Sequence, residues 1–267
     1  MCDAPQTITL NGASVAVSAV AQTPPLDVTK ALSSTPFKRW ASEVDPRFAV
    51  TTLTFQSLDM FGPRVGFVKF LASGTFQGSP VPGIVFARGG AVAILPVLTC
   101  EGTQWVVCCR QPRLPIGRHF LEIPAGMLDD SGSFVGVAAK EMQEETGIAI
   151  TEADLVDLTG LAYGEGTVAG PGGVEAAAAG GPLHGMYPSV GGCDEFIRIF
   201  YFSKVVDRAY LDELQGKVTG CQEEGEVIRL ELVQYKDLWR HCPDAKTLSA
   251  MLLLERLVGE GKVKGAQ

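Results

Sequence analysis

The sequence lacks an excess of positive charge. Its 22 Lys and Arg residues face 30 Asp and Glu residues, so the formal net charge at pH 7 is −8. Nucleic acids and anionic membranes are bound through basic surfaces, and neither is therefore expected as a partner. A small phosphate-bearing substrate is compatible with this charge, because bound metal ions can supply the positive charge that the chain does not.

Long apolar runs and a signal sequence are also missing. No apolar run reaches the roughly 20 residues that a membrane-spanning helix needs. No charged leader precedes an apolar segment near the N-terminus. The sequence therefore predicts neither a transmembrane segment nor a secretory signal, and we expect a cytoplasmic protein.

The sequence has few histidines and no pair of cysteines at CxxC spacing. The chain has seven cysteines, an odd number with no CxxC pair, and three histidines. This usage favours a reducing, intracellular setting. Cys221, His241 and Cys242 do not have the spacing of zinc ligands, so the cysteines are predicted to be core or surface thiols.

The length of 267 residues, 46% of them hydrophobic, suffices for one large domain or for a large and a small one. Alternating apolar and polar residues predict strands over 13–21, 49–58 and 65–71, with a short helix over 36–43. These elements predict a small β-rich domain over residues 1–82, ending near the turn residues 78–80. It holds no constellation of reactive side chains, which favours a structural or dimerising role.

The segment 126–148, GMLDDSGSFVGVAAKEMQEETGI, carries the clearest chemical signal. Its apolar residues recur at helical spacing, which places Glu141 beside Glu144 and Glu145 on one side of a helix. Ser133 can cap the start of that helix, and Gly147 can end it. Adjacent carboxylates repel each other unless a cation lies among them, so the cluster predicts a Mg²⁺ site, with a solvated acidic face as the alternative.

This segment resembles the Nudix box, from Gly126 through KEMQEETGI to Ile148. The resemblance implies an α+β fold, an α/β/α Nudix sandwich, over residues 83–267. It also implies Mg²⁺, with Mn²⁺ as a substitute, held by the Ala125 carbonyl and by three glutamates (Glu141, Glu144, Glu145). Gly132 and Lys140 replace a glutamate and an arginine that brace the loop in the family, so bracing through Asp129 or Asp130 is expected instead.

Two arginines follow an apolar strand, in the run Arg110-Gln111-Pro112-Arg113. Arginine forks can bind a diphosphate through paired hydrogen bonds, although such pairs are also common surface residues. The run is similar to a Gln-aromatic-Arg triplet of Nudix enzymes that act on ADP-ribose, with proline in the aromatic position. The resemblance implies that Arg113, with Arg110, binds substrate, and that Glu122 of the LEIPAG stretch approaches it.

Beyond the box, residues 155–161 are predicted to form a strand, and the Gly/Ala-rich segment 164–181 to form an inserted loop. Its glycines match a dinucleotide-binding pattern, but the proline and glycines at 171–173 prevent the helix which that pattern requires. The next motif, YPSVGGCDEF, is similar to a family turn that precedes a glutamate. The resemblance implies a catalytic role for Glu195, together with Glu144.

The LEIPAGMLDD, FVGVAAKEMQEETGI and PSVGGCDE stretches together resemble the ADP-sugar diphosphatase and ADP-ribose pyrophosphatase branch of the Nudix hydrolases. This resemblance implies a homodimer with a nucleotide-sugar substrate of the ADP-ribose, ADP-glucose or UDP-glucose type. The implied reaction hydrolyses the diphosphate to a nucleoside monophosphate and a sugar phosphate. Two alternatives stay open: another nucleoside diphosphate derivative as substrate, and a non-catalytic module that binds a nucleotide.

Overall fold

The computed structural model describes residues 6–21, 25–128, 133–164, 184–220 and 227–265. Contacts divide this part of the chain into two compact units. The first contains the residues up to 90 together with 189–195, and the second contains the remainder. Predictions that concern Gly132, Asp129, Asp130 and most of the insertion 164–181 fall outside the described residues.

The first unit is built on one sheet and two helices. The strands are β1 (Gln6–Leu10), β2 (Ala13–Ala19), β3 (Phe48–Phe61), β4 (Arg64–Phe76), β5 (Ser79–Pro80) and β6 (Ile84–Ala87), and the helices are α1 (Val28–Ser33) and α2 (Thr35–Glu43). Strands β1 to β5 are neighbours in chain order, and β6 pairs with β4. Only the β2–β3 pairing is parallel among these. The sheet therefore continues past residue 82, since β6 belongs to it.

Aromatic side chains fill the core of this unit. Phe37 of α2 lies 5.4 Å from Phe55 of β3 and 5.6 Å from Phe70 of β4, measured between ring centroids. Trp40 approaches the Phe70 ring edge-on at 4.7 Å. Such tilted and edge-to-face contacts add to the free energy gained by burying the rings, and they attach α2 to the sheet.

The second unit is built on a mixed sheet. Its strands are β7 (Ala91–Cys100), β8 (Thr103–Arg113), β9 (Arg118–Glu122), β10 (Ala125–Met127), β11 (Val156–Asp157), β12 (Ile197–Val205), β13 (Val218–Thr219) and β14 (Ile228–Gln234). The order is β11-β12-β7-β8-β14-β13, with β10 beside β7 and β9 beside β8. Strands β7 and β12 are parallel. All ten residues of β7 are buried, as expected for a strand covered on both faces.

Helices cover the two faces of this sheet. They are α3 (Phe134–Thr146), α4 (Leu158–Tyr163), α5 (Arg208–Leu214), α6 (Tyr235–His241) and α7 (Ala245–Gly259). One apolar core contains residues of α3 and α5, and the other contains residues of α4, α6 and α7. The expected α/β/α sandwich in an α+β fold is therefore confirmed.

Local signals explain where α3 begins and ends. The Ser133 hydroxyl accepts a hydrogen bond from the Gly136 amide at 3.1 Å, as an N-cap does. Gly147 takes a left-handed conformation with φ 74°, and its amide donates to the Gln143 carbonyl at 2.9 Å. Both predictions for the helix ends are confirmed.

The strand predicted over 155–161 is wrong beyond Asp157. Only Val156–Asp157 is a strand, and helix α4 follows it directly. The Asp157 carboxylate accepts from the Gly160 amide at 2.8 Å and binds Arg198 at 2.6 Å. A capped helix start, held by an ion pair, therefore overrides the strand preference of this short segment.

We predict that Phe70→Ala lowers the free energy of unfolding by about 3–5 kcal/mol, because a fully buried ring is lost from the aromatic core. Leu71→Ala is the matched control, since Leu71 is the next residue and is 36% exposed. Urea denaturation measures both changes. Equal losses for the two variants would show that the aromatic core does not stabilise this unit.

Candidate active site

The turn into β10 brings Glu141 of α3 against Gly126. A Cβ atom placed on Gly126 would lie 1.9 Å from the Glu141 Cδ atom. A larger residue at position 126 would therefore displace the Glu141 side chain from its present place. The glycine at the start of the predicted box lets the Glu141 carboxylate lie against the backbone of β10.

Glu145 lies one helical turn further along α3 and is buried. Its side chain accepts a hydrogen bond from the Ala125 amide at 3.0 Å and lies 3.7 Å from the Cys109 sulfur. Burial, together with the neighbouring Glu141 and Glu122 carboxylates, raises the pKa of Glu145 to about 8, although the Ala125 amide and Arg113 act to lower it. A positive ion beside Glu145 would favour its charged form.

Glu144 differs from its two neighbours. Its side chain is 50% exposed, and its carboxylate lies 3.7 Å from the Lys140 ammonium. Within the described residues, no group of three or more His, Cys, Asp and Glu side chains forms a ready-made metal site. The structure thus brings Glu141 and Glu145 to Ala125 and Gly126, while Glu144 lies at the surface of the same helix.

The oxygen donors at this turn fit a hard cation. Carboxylate and backbone carbonyl oxygens are the ligands that Mg²⁺ and Mn²⁺ prefer. Among the described residues, the hydrogen-bond partners of the buried Glu145 carboxylate are an amide and a thiol, both of them uncharged. This choice of donors is consistent with Ala125, Glu141, Glu144 and Glu145 as metal ligands, and their role in metal binding stays a prediction.

Arg113 and Glu122 form an ion pair across the β8–β9 hairpin. The Arg113 Nε atom donates to Glu122 Oε1 at 2.6 Å. The second oxygen, Oε2, accepts from the Lys246 ammonium of α7 at 2.5 Å. Burial alone would raise the pKa of Glu122, but Arg113 and Lys246 together lower it below its ordinary value. Glu122 is therefore held as a carboxylate between two cations.

Lys246 was not among the residues predicted from the sequence. The available signal was its place on α7, where it lies on the buried face with Ala250 and Leu254. A lysine on the inward stripe of an amphipathic helix indicates a buried partner of opposite charge. That partner, Glu122, is 124 residues away in the sequence, so the spacing alone could not identify it.

Arg110 is placed differently from Arg113. The two residues are three positions apart on β8, so their side chains leave opposite faces of the strand. The Arg110 guanidinium binds both carboxylate oxygens of Glu231 on β14, with Nη2 at 2.8 Å from Oε2. The structure therefore does not bring the two predicted substrate-binding arginines together.

Glu195 lies in the first unit. Its carboxylate is 3.0 Å from the Arg88 guanidinium. The neighbouring Asp194 carboxylate accepts from the backbone amides of Arg88 and Gly89, at 2.7 and 3.1 Å. These contacts hold the segment 189–195 on its own unit, and the catalytic role of Glu195 remains a prediction.

Comparison with known proteins bears on this site. The NUDIX domain model matches residues 87–252. Nudix hydrolase 14, chloroplastic, of Arabidopsis thaliana is 39% identical over 260 residues, which cover 93% of this chain and 79% of the relative. The ADP-sugar pyrophosphatase of Mus musculus is 40% identical over 58 residues, covering 21% of this chain and 27% of that protein. A solved ADP compounds hydrolase covers 81% of this chain and 97% of its own, at 17% identity and a TM-score of 0.47.

The sandwich and its acidic helix define the class of protein, an α+β hydrolase with a Nudix fold. The chain belongs to the NUDIX family, because the family model matches more than half of it and a Nudix hydrolase aligns over almost its full length. It is a pyrophosphohydrolase of that family.

We predict that Gly126→Ala lowers kcat/KM by about a hundredfold or more, because the added methyl group displaces Glu141 from the turn. Gly259→Ala is the control, since a Cβ on Gly259 meets no atom within 4 Å. Steady-state kinetics and circular dichroism of both variants test this. An active Gly126→Ala protein would show that the position of Glu141 does not matter.

We predict that Glu145→Gln stabilises the protein in the absence of divalent cations as the pH rises. Below the ordinary pKa of 4.5, the Glu145 carboxyl is protonated in both the folded and the unfolded states. Between 4.5 and about 8 the unfolded chain loses this proton while the folded chain keeps it, so the wild type loses stability with rising pH. Above pH 8 the loss is roughly 3–5 kcal/mol.

Melting temperatures from pH 5 to pH 9 in EDTA measure this effect. The two proteins should melt together near pH 5 and diverge towards pH 9, with the glutamine variant higher. Glu144→Gln should show much less divergence, since that side chain is half exposed. A difference that stays constant across this range would contradict the buried state of Glu145.

Proposed function

We propose that this protein hydrolyses the diphosphate of a nucleoside diphosphate sugar, of the ADP-ribose, ADP-glucose or UDP-glucose type, in the presence of Mg²⁺. One observation carries the proposal: Glu145 is buried on α3, and Glu141, one helical turn away, packs its carboxylate against Gly126. A buried carboxylate with a second, partly buried carboxylate beside it suits a cation-dependent reaction on phosphates. The name of the mouse relative, an ADP-sugar pyrophosphatase, supports this substrate class.

The proposed cation ligands are the Ala125 carbonyl and the carboxylates of Glu141, Glu144 and Glu145. When bound, Mg²⁺ or its substitute Mn²⁺ supplies neutralisation of the diphosphate charge and lowers the pKa of a water molecule. To join this set, Glu144 exchanges its exposed contact with Lys140 for the cation. A surface ion pair of this kind contributes little free energy, so the exchange costs little.

The protein's own groups orient the reactants. Arg113 extends from a buried anchor to a partly exposed position, and its guanidinium suits the paired oxygens of a diphosphate. Glu144 and Glu195 are the proposed acceptors of the proton from the attacking water. Arg110 is a weaker candidate for substrate binding than Arg113, because Glu231 already occupies its fork.

The proposal extends to assembly and location. We propose a homodimer in which the β-rich N-terminal domain contacts its partner. None of the described helices combines the length and apolar composition that crossing a bilayer requires. Five described cysteines are free, which suits a reducing compartment. The cytoplasm is the location proposed from the sequence, and the name of the Arabidopsis relative makes a plastid the second candidate.

We predict that the purified protein with Mg²⁺ converts ADP-ribose to AMP and ribose 5-phosphate, or ADP-glucose to AMP and glucose 1-phosphate. Attack on phosphorus in ¹⁸O-labelled water places one label in one of the two phosphate products. Chromatography and mass spectrometry of a panel of nucleotide sugars, dinucleotides and nucleoside triphosphates measure the products. The panel also separates another nucleoside diphosphate derivative from a nucleotide sugar as the preferred substrate.

Glu145→Gln is the negative control for this assay, because it removes charge from the proposed cation site while preserving shape. Release of intact ADP would contradict cleavage within the diphosphate. Tight binding of a nucleotide sugar without product in Mg²⁺ or Mn²⁺ would contradict its role as the substrate. Wild-type turnover by Glu145→Gln would show that the α3 carboxylates form only an acidic surface.

A further inference from the structure

Lys246 is buried where a helix otherwise presents apolar residues. It is 9% exposed and lies on the inward face of α7, which is completed by Thr247, Ala250, Met251, Leu254 and Leu257. A lysine is almost never buried to this extent unless its charge is paired. The cost of desolvating an ammonium group therefore indicates that this position serves a purpose beyond packing.

Two carboxylates surround the Lys246 ammonium. The Nζ atom lies 2.5 Å from Glu122 Oε2 and 3.1 Å from Asp244 Oδ2. Asp244 caps the start of α7 by accepting from the Thr247 amide at 3.2 Å. Nearby, the Cys242 thiol donates to the Leu121 carbonyl at 2.9 Å. The end of α6 is thus attached to Leu121 of β9, and the start of α7 is attached to the adjacent Glu122.

The Glu122 carboxylate is divided between two cations. One oxygen accepts from Lys246 and the other accepts from the Nε atom of Arg113. The Glu122 side chain is 5% exposed, whereas the Arg113 side chain is 41% exposed. Glu122 is therefore a buried anchor for an arginine whose outer part reaches the surface, and its oxygens already have protein donors.

We infer that Lys246 is a positioning residue that fixes the direction of Arg113 through Glu122. This inference rests on the proposed function, in which Arg113 binds the diphosphate. It also changes the role expected for Glu122, which orients the substrate-binding arginine instead of contacting substrate itself.

Lys246 acts by holding one carboxylate oxygen away from the arginine. Without the ammonium, Glu122 is a buried carboxylate with a single cation as partner. The guanidinium then turns inward to engage both oxygens, because a fork-to-fork pair is the more stable geometry for Arg and a carboxylate. That rotation turns the Arg113 guanidinium away from the phosphate oxygens of the substrate.

Steady-state kinetics with ADP-ribose and Mg²⁺ test the inference on the full chain. We expect Lys246→Met to raise KM by roughly tenfold or more, with kcat within about threefold, because binding of the phosphate is weakened. Lys246→Arg restores most of the affinity, since it keeps a cation beside Glu122. Lys262→Met is the control and should leave both constants unchanged, because Lys262 pairs with Glu260 at an exposed position.

The double variant Lys246→Met with Glu122→Gln separates positioning from stability. It removes both buried charges, so it should recover the melting temperature that the single lysine variant loses. The KM should stay raised, because the anchor of Arg113 is missing. Recovery of the wild-type KM in the double variant, or an unchanged KM in a folded Lys246→Met protein, would overturn the inference.

A spectroscopic readout needs no turnover. The Arg113 Nε–H group gives a ¹⁵N-correlated resonance that can be assigned by its loss in Arg113→Lys. We expect this resonance to be protected from exchange with water in the wild type and to shift or broaden in Lys246→Met. An identical resonance in both proteins would overturn the inference. If the wild type hydrolyses nothing in the panel, the proposed function fails, while this resonance still decides whether Lys246 positions Arg113.

Discussion

The burial of acidic side chains beside one strand–helix turn is the constraint on which the site depends. Glu145 is 5% exposed and Glu122 is 4% exposed, and the charge of Glu122 contributes to the raised pKa of Glu145. Burying a carboxylate without a cation is costly, so a structure that does so must supply partners or leave the charge to a ligand. Here the protein supplies cationic partners to Glu122 and uncharged partners to Glu145.

The two carboxylates are treated differently. Glu122 has permanent protein cations, Arg113 and Lys246, and therefore remains charged. Within the part of the chain that the structure describes, Glu145 bonds to the Ala125 amide and the Cys109 thiol, and burial raises its pKa to about 8. The first arrangement is suited to holding an arginine in place, and the second is suited to receiving a cation. The two neighbouring carboxylates thus have pKa values shifted in opposite directions, because their partners differ.

The α/β/α sandwich brings the partners of both carboxylates to the same turn. Helix α3 covers one face of the mixed sheet and α7 contributes to the core on the other face. A short turn from Glu122 to Ala125 connects strands β9 and β10. Lys246, at the start of α7, contacts Glu122 at one end of this turn. Glu145, near the end of α3, contacts Ala125 at the other end. Lys246 and Glu122 thus connect the start of α7 to this turn.

The sequence by itself determined the local features and the family. Ser133, Gly147 and the helical spacing of apolar residues define α3 because capping and periodicity act within a few residues. The tertiary structure alone decided which charges meet, as in Glu122 with Lys246, Arg110 with Glu231, and the exposure of Glu144. Residues 158–163 form a helix that begins at the local Asp157 cap, while the pairing of Asp157 with Arg198, 41 residues away, is a tertiary contact. Ion pairs and burial between residues distant in the chain depend on how strands and helices pack, and no local pattern encodes that geometry.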